Sequence, residues 1–219
     1  MLIEARELYR FYHSGDEEVK ALRGVDLNIA ERELIALVGP SGSGKSTLLL
    51  CLAGLDEPDG GEVIVKGERM TRREELVKSR IRSGNIGLML QANNLFDHLT
   101  VEQNVNFGQR VGGACDTAWT MELLGQLGIF TRRSAMPPEL SGGERARASL
   151  AVAMARKPEI LILDEPTGEV DANAEVAIIG ILKGHCKSGG AAIISTHNQA
   201  LSKQATRVLS INDGRIVHG

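Results

Sequence analysis

Gly39-Pro40-Ser41-Gly42-Ser43-Gly44-Lys45-Ser46-Thr47 decides how this chain is read. The stretch fits G-x-x-x-x-G-K-[ST]. It follows an apolar, β-type run at 34–38 and leads into a helical pattern at 44–53. That order is what phosphate binding requires. Glycines let the backbone fold tightly enough for successive N–H groups to point at one anion. The N-terminus of the following helix adds partial positive charge. Lys45 then reaches the β- and γ-phosphates, and Ser46 offers its hydroxyl to Mg²⁺. A plain glycine-rich turn with a surface lysine explains the glycines, but not the strand before them and the helix after.

Outward from this loop, short apolar runs alternate with helical patterns. Residues 25–29, 34–38, 63–65, 86–90, 160–163, 191–195 and 208–211 read as strands. Several are apolar at nearly every position, as strands covered on both faces are. Residues 44–53, 73–82, 101–111, 115–127, 143–157 and 171–183 read as helices. The alternation predicts an α/β fold with a mainly parallel sheet. Residues 92–157 carry helical patterns and no convincing strand, which predicts an inserted helical subdomain. The first thirty residues, with Ser14, Gly15 and Asp16 as a turn signal, predict two short strands in a small antiparallel piece. One domain, 1–219, is expected: 1–91 and 158–219 form the core with its antiparallel piece, and 92–157 form the helical part.

Composition narrows the classes. At 219 residues the chain suits one domain with a subdomain, by the rule of about 150 residues per domain. Hydrophobic residues make up 42% and charged residues 24%, an ordinary globular balance. The net charge of -3 gives no strong field toward nucleic acid or anionic lipid. No apolar run approaches the roughly 20 residues of a membrane helix. Glu4, Arg6 and Glu7 interrupt the start, unlike a signal peptide. Cys51, Cys115 and Cys186 are far apart and odd in number, which fits neither a disulfide framework nor a zinc site and fits a reducing cytoplasm.

Two further stretches carry chemistry. Ile160-Leu161-Ile162-Leu163-Asp164-Glu165 is an apolar strand ending in two acids. Ligands of open α/β sheets bind at the carboxyl ends of strands. Asp164 is therefore expected beside the phosphate loop, holding Mg²⁺ through water, with Glu165 polarising the attacking water. Leu140-Ser141-Gly142-Gly143-Glu144 opens an alanine-rich helix. Ser141 with Glu144 three residues on is a capping box, and the helix start is a second potential anion site.

A phosphate loop, then LSGG-, then an apolar strand ending Asp-Glu resembles the ATP-binding-cassette ATPases over essentially the whole chain. The resemblance implies a P-loop NTPase (RecA-like) core binding ATP and Mg²⁺. It implies that Ser141, Gly142 and Gly143 contact the γ-phosphate of ATP held by a second copy, or by a homologous cassette, in a head-to-tail pair. It places Gln91 as the Q-loop glutamine near Mg²⁺ or the water, and Asp171 at the dimer seam, where the residue also reads as a helix N-cap. His197 resembles the switch histidine sensing the γ-phosphate. Tyr12 resembles the aromatic that stacks on adenine, with Tyr9 and Phe11 as rivals. The chain departs from the pattern at Glu144 for the usual glutamine, at Val152 for a common arginine, and in Gly168-Glu169-Val170-Asp171. None of these removes a phosphate, metal or water ligand, so an active ATPase is expected.

Leu55 to Pro58 with Gly61 to Val63, and Asn94 to Phe96 with Leu99 to Val105, resemble the small ATPases of the lipoprotein-release, macrolide-efflux and cell-division type. That implies a cytoplasmic protein, peripheral on the inner face of the membrane and bound to integral permease subunits near Leu95 and Phe96. Nucleic acid is not expected as a partner. A soluble nucleic-acid- or ribosome-associated cassette usually brings a coiled-coil insertion or a second cassette, and a small-molecule kinase would not need Ser141 to Gly143. Between Lys66 and Arg82 there is a local excess of four positive charges, read as a solvated helix face.

Overall fold

The computed structural model describes residues 1–14, 17–92, 94–111, 113, 115–168, 170 and 172–218. Its strands are β1 (Ile3–Ser14), β2 (Glu17–Ile29), β3 (Leu34–Val38), β4 (Gly60–Val65), β5 (Glu68–Arg69), β6 (Ile86–Met89), β7 (Ile160–Asp164), β8 (Ala191–Ser195), β9 (Arg207–Asn212) and β10 (Arg215–His218). Its α-helices are α1 (Lys45–Leu52), α2 (Glu75–Asn85), α3 (Val101–Arg110), α4 (Thr117–Gln126), α5 (Gly142–Met154), α6 (Ala172–Lys187) and α7 (Gln199–Gln204). Short 3-10 turns lie at Phe130–Arg132 and Pro137–Glu139.

Six strands form the main sheet in the order β10-β9-β3-β8-β7-β6, parallel except for the β9–β10 hairpin. A second, antiparallel sheet runs β2-β1-β4-β5. The uniformly apolar strands make sense here, because each feeds two cores with period two. Ile35, Leu37, Ile160, Ile162, Ala191 and Ile193 pack with α1 and the antiparallel sheet. Leu34, Ala36, Leu161, Leu163, Ala192 and Ile194 pack with α3 to α6. Helix α1 lies between the two sheets and contributes Leu48, Leu49, Cys51 and Leu52.

The N-terminal strands are not short, as the sequence had suggested, but 12 and 13 residues long. Register shifts interrupt their pairing at Ala5/Leu8, Leu8/Tyr9 and Arg10/Phe11, and Glu7 takes a positive φ of 48°. Each shift resets the alternation, so no long period-two run survives to be seen. The turn at Gly15 and Asp16 lies outside the described residues. Helix α7 and strand β10 were not anticipated. Six residues are too few for helical periodicity, but Asp213-Gly214 (φ 47° and 70°) before β10 is a hairpin signal that could have been used. Between Met89 and β7, the described residues contain helices, turns and no strand.

The basic stretch is not bare charge. Lys66 pairs with Glu159, Arg80 with Glu68 (3.0 Å), Lys78 with Glu57 (3.4 Å) and Arg82 with Glu75 (2.8 Å).

Candidate functional site

Because β3, β6, β7 and β8 are parallel, their carboxyl ends emerge on one edge of the sheet. From that edge come the phosphate loop after β3, Gln91 after β6, Asp164 and Glu165 at the end of β7, and His197 after β8. The phosphate loop is shaped by backbone crowding. Gly44 sits at φ 104°, and a Cβ there would overlap the Ala21 carbonyl oxygen. A Cβ on Gly39 would likewise strike the Ile211 carbonyl oxygen. Lys45 is 7% exposed, and its Nζ donates to the carbonyls of Gly39 and Pro40, both at 2.9 Å. An ammonium has three N–H donors, so one remains for an anion inside the loop.

Asp164 and Ser195 are paired across β7 and β8, and Ser195 Oγ donates to Asp164 Oδ1. That fixes the carboxylate and leaves its second oxygen for other work. Glu165 occupies the left-handed region at φ 51°. Its N–H donates to Ser195 O (3.1 Å) and Ser195 Oγ (3.3 Å), and its carbonyl accepts from Gly168 N–H (3.1 Å). Glu165 Oε1 is buried without a hydrogen-bond partner and lies 3.3 Å from His197 Nε2. A buried carboxylate oxygen whose one neighbour is an imidazole, at a strained backbone position, is an expensive arrangement, and such positions cluster at functional sites. Ser195, which orients both acids, was missed by sequence reasoning. The signal was a buried serine ending an apolar strand.

An open cleft of about 1090 Å³ connects these groups. Ser41, Gly42, Lys45, Ser46, Gln91, Asp164, Glu165 and His197 line it, and its far wall is Leu140, Gly142 and Arg145 at the start of α5. Ser46, Gln91 and Asp164 also share a smaller pocket of about 230 Å³. A hydroxyl, an amide and a carboxylate are the hard oxygen donors Mg²⁺ takes. No group of three or more His, Cys, Asp or Glu side chains converges among the described residues. Mg²⁺ bound together with phosphates needs only one or two protein oxygens, so the donor set fits.

Other expected residues lie around this cleft. Ser141 is exposed at the cap of α5, its Oγ accepting from Glu144 N–H (3.2 Å), and Gly143 is buried behind it. Tyr12 does not line the cleft. Its hydroxyl donates to Asp56 Oδ2 (2.5 Å), which ties the ring to the segment just beyond α1. Arg10 lies over the ring at 4.6 Å and pairs with Asp56 at 2.8 Å. Burial and the Asp56 carboxylate both push the Tyr12 phenol up. Burial also acts on Asp56, but bonds from Arg10 and Tyr12 outweigh it and hold that carboxyl low. Tyr9 and Phe11 meet each other instead, their rings tilted by 50° with centroids 6.3 Å apart. Ser43 is buried with its Oγ unpartnered. Asp171 lies outside the described residues. Cys51 and Cys186 are buried away from it, and burial raises the Cys51 thiol to about 12 and Cys186 to about 11.

Residues 22–168 match the ABC transporter family. The macrolide export ATP-binding/permease protein MacB of Photorhabdus laumondii is 37% identical over 219 residues, covering 99% of this chain and 34% of that protein. The chain thus spans about a third of that relative's length. The lipoprotein-releasing system ATP-binding protein LolD 2 of Caulobacter vibrioides is 36% identical, covering 98% of this chain and 96% of that protein. Among solved structures, the dimeric bacterial ABC transporter cassette MJ0796 superposes with a TM-score of 0.94 at 30% identity, over 99% of this chain and 97% of that one. A dimeric post-hydrolysis state of MJ0796 bound to ADP and Pi gives a TM-score of 0.92.

Proposed function

The chain belongs to the ABC transporter family, and from that premise we propose that it is the ATP-hydrolysing subunit of a membrane transport machine, working as a head-to-tail pair with ATP between the copies. The observation that carries this reading is the convergence of four strand ends on one cleft, with Lys45, Asp164, Glu165 and His197 along it. Lys45 and the loop N–H groups hold the β- and γ-phosphates. Ser46 and Asp164, with Gln91 near, would hold Mg²⁺, which neutralises phosphate charge when bound. Glu165, whose side chain lines the cleft with Oε1 beside His197, accepts a hydrogen bond from the attacking water, and His197 approaches the γ-phosphate from beside it.

The exposed Ser141 and the first turn of α5 meet the γ-phosphate of the ATP bound by the other copy, or by a homologous cassette. Asp171 belongs to the seam between them. Tyr12 supplies the flat face for adenine, its hydroxyl anchored on Asp56 just beyond α1. Residues 92–157 act as the lever. At its surface Phe96 (48% exposed) packs edge-on against Phe107 (46% exposed) at 5.0 Å, an apolar landing for an integral membrane permease. No helix among the described residues is long and apolar enough to cross a membrane, so the pair would sit on the inner face of the membrane through such subunits.

The test is Glu165→Gln. It is expected to bind ATP, to lose turnover, and to accumulate as an ATP-dependent dimer on size exclusion. A variant that turns over normally, or stays monomeric with saturating ATP, contradicts the reading.

A further inference from the structure

Position 144 is where this chain carries a carboxylate in the signature instead of the usual amide. Both of its oxygens are engaged. Glu144 Oε2 accepts the Ser141 N–H at 2.9 Å, and Oε1 lies 3.2 Å from Arg132 Nε. Arg132 ends the 3-10 turn Phe130–Arg132, and its Nη2 also donates to the Glu139 carbonyl at 2.6 Å. The guanidinium therefore bridges the turn before the signature and the cap of α5. The neighbouring Arg145 donates to the Pro137 carbonyl at 2.9 Å.

A glutamine at 144 could cap Ser141 equally well without adding charge. A glutamate adds a full negative charge within the first turn of α5. The helix N-terminus offers only about half a positive charge. An unbalanced carboxylate there would turn an attractive end into a repulsive one for a phosphate. Resting on the reading that Ser141 meets the γ-phosphate of the other copy's ATP, we propose that Arg132 is a positioning residue for that contact: it balances Glu144 and holds the carboxylate on the Ser141 N–H. The Ser141 hydroxyl, which accepts from Glu144 N–H, keeps its own proton free for the phosphate.

The proposal makes the two residues interdependent, which a purely architectural arginine would not be. The measurement is the ATP-dependent dimer dissociation constant, by analytical ultracentrifugation, in full-length protein carrying Glu165→Gln. Arg132→Gln is expected to weaken the dimer about tenfold or more, because like charges then face each other at both sites. Its monomer is expected to bind ATP as the parent does. Arg132→Lys is expected to recover most of the loss. Arg132→Gln combined with Glu144→Gln is expected to dimerise within about threefold of the parent, since the repulsive charge has gone. That double variant carries the test even if Arg132→Gln alone does not fold. A dimer unweakened by Arg132→Gln, or a double variant as weak as the single one, overturns the proposal; the second result would assign Arg132 to its Glu139 bond alone. Ser141→Arg is the reference. If it leaves the dimer intact, the cross-subunit reading falls and this proposal with it, whereas its loss beside a normal Arg132→Gln dimer overturns only the proposal.

Discussion

Glu165 combines a left-handed backbone (φ 51°), an N–H shared between the Ser195 carbonyl and hydroxyl, and a buried carboxylate oxygen 3.3 Å from His197. The left-handed backbone costs a non-glycine residue of order 1 kcal/mol or more, and here it aims the side chain into the cleft. Glu165→Gln keeps the shape and removes the negative charge, so turnover is expected to fall about 10²- to 10⁴-fold with ATP affinity retained. Phosphate-release assays paired with ATP titration check it. Tyr12 gives a second residue-scale test. Loss of one base-stacking ring is worth about 1–3 kcal/mol, so Tyr12→Ala is expected to weaken ATP binding about tenfold or more. Binding of inorganic tripolyphosphate, which has no base, is expected to stay unchanged. An equal loss for both ligands would place the ring elsewhere than at adenine.

At the scale of elements, the phosphate loop depends on space rather than on contacts. Gly44→Ala would put a Cβ onto the Ala21 carbonyl at a φ of 104°. Nucleotide binding is expected to be lost, by titration calorimetry, and the melting temperature to fall. The loop after β6 depends on a buried amide instead. Asn104, 2% exposed, donates to the carbonyls of Phe96, Leu99 and Thr100 and accepts the Phe96 N–H at 2.8 Å. Asn104→Ala strands the Phe96 N–H and the Leu99 carbonyl and is expected to cost about 2 kcal/mol in urea unfolding.

The loop, β3 and β7 could be read from the chain because glycine spacing and unbroken apolar runs are local signals. Parallel strands place Asp164 and Glu165 at the edge that carries the phosphate loop, whereas Gln91 and His197 were placed there by the family resemblance. What stayed hidden was non-local or irregular. Ser195 orients Asp164 only across a strand pair, Asp56 joins Arg10 and Tyr12 from far along the chain, and β1 concealed its length behind register shifts.

The whole molecule is a sheet between two cores, with the antiparallel strands and α1 on one side and α3 to α6 on the other. The exposed pair Phe96 and Phe107 belongs to the second side, away from α1. Phe96→Asp is expected to leave ATP hydrolysis by the isolated protein within about twofold, as surface changes away from a site do little. It is also expected to abolish co-purification with an integral membrane protein. Retained co-purification would move the docking face elsewhere. The central claim concerns two copies. A crystal structure of Glu165→Gln with ATP measures it most directly. Lys45 of one copy and the partner's Ser141 are expected on opposite sides of the same γ-phosphate. A γ-phosphate reached by Lys45 and Ser141 of one and the same chain, or by no signature serine at all, would contradict the account.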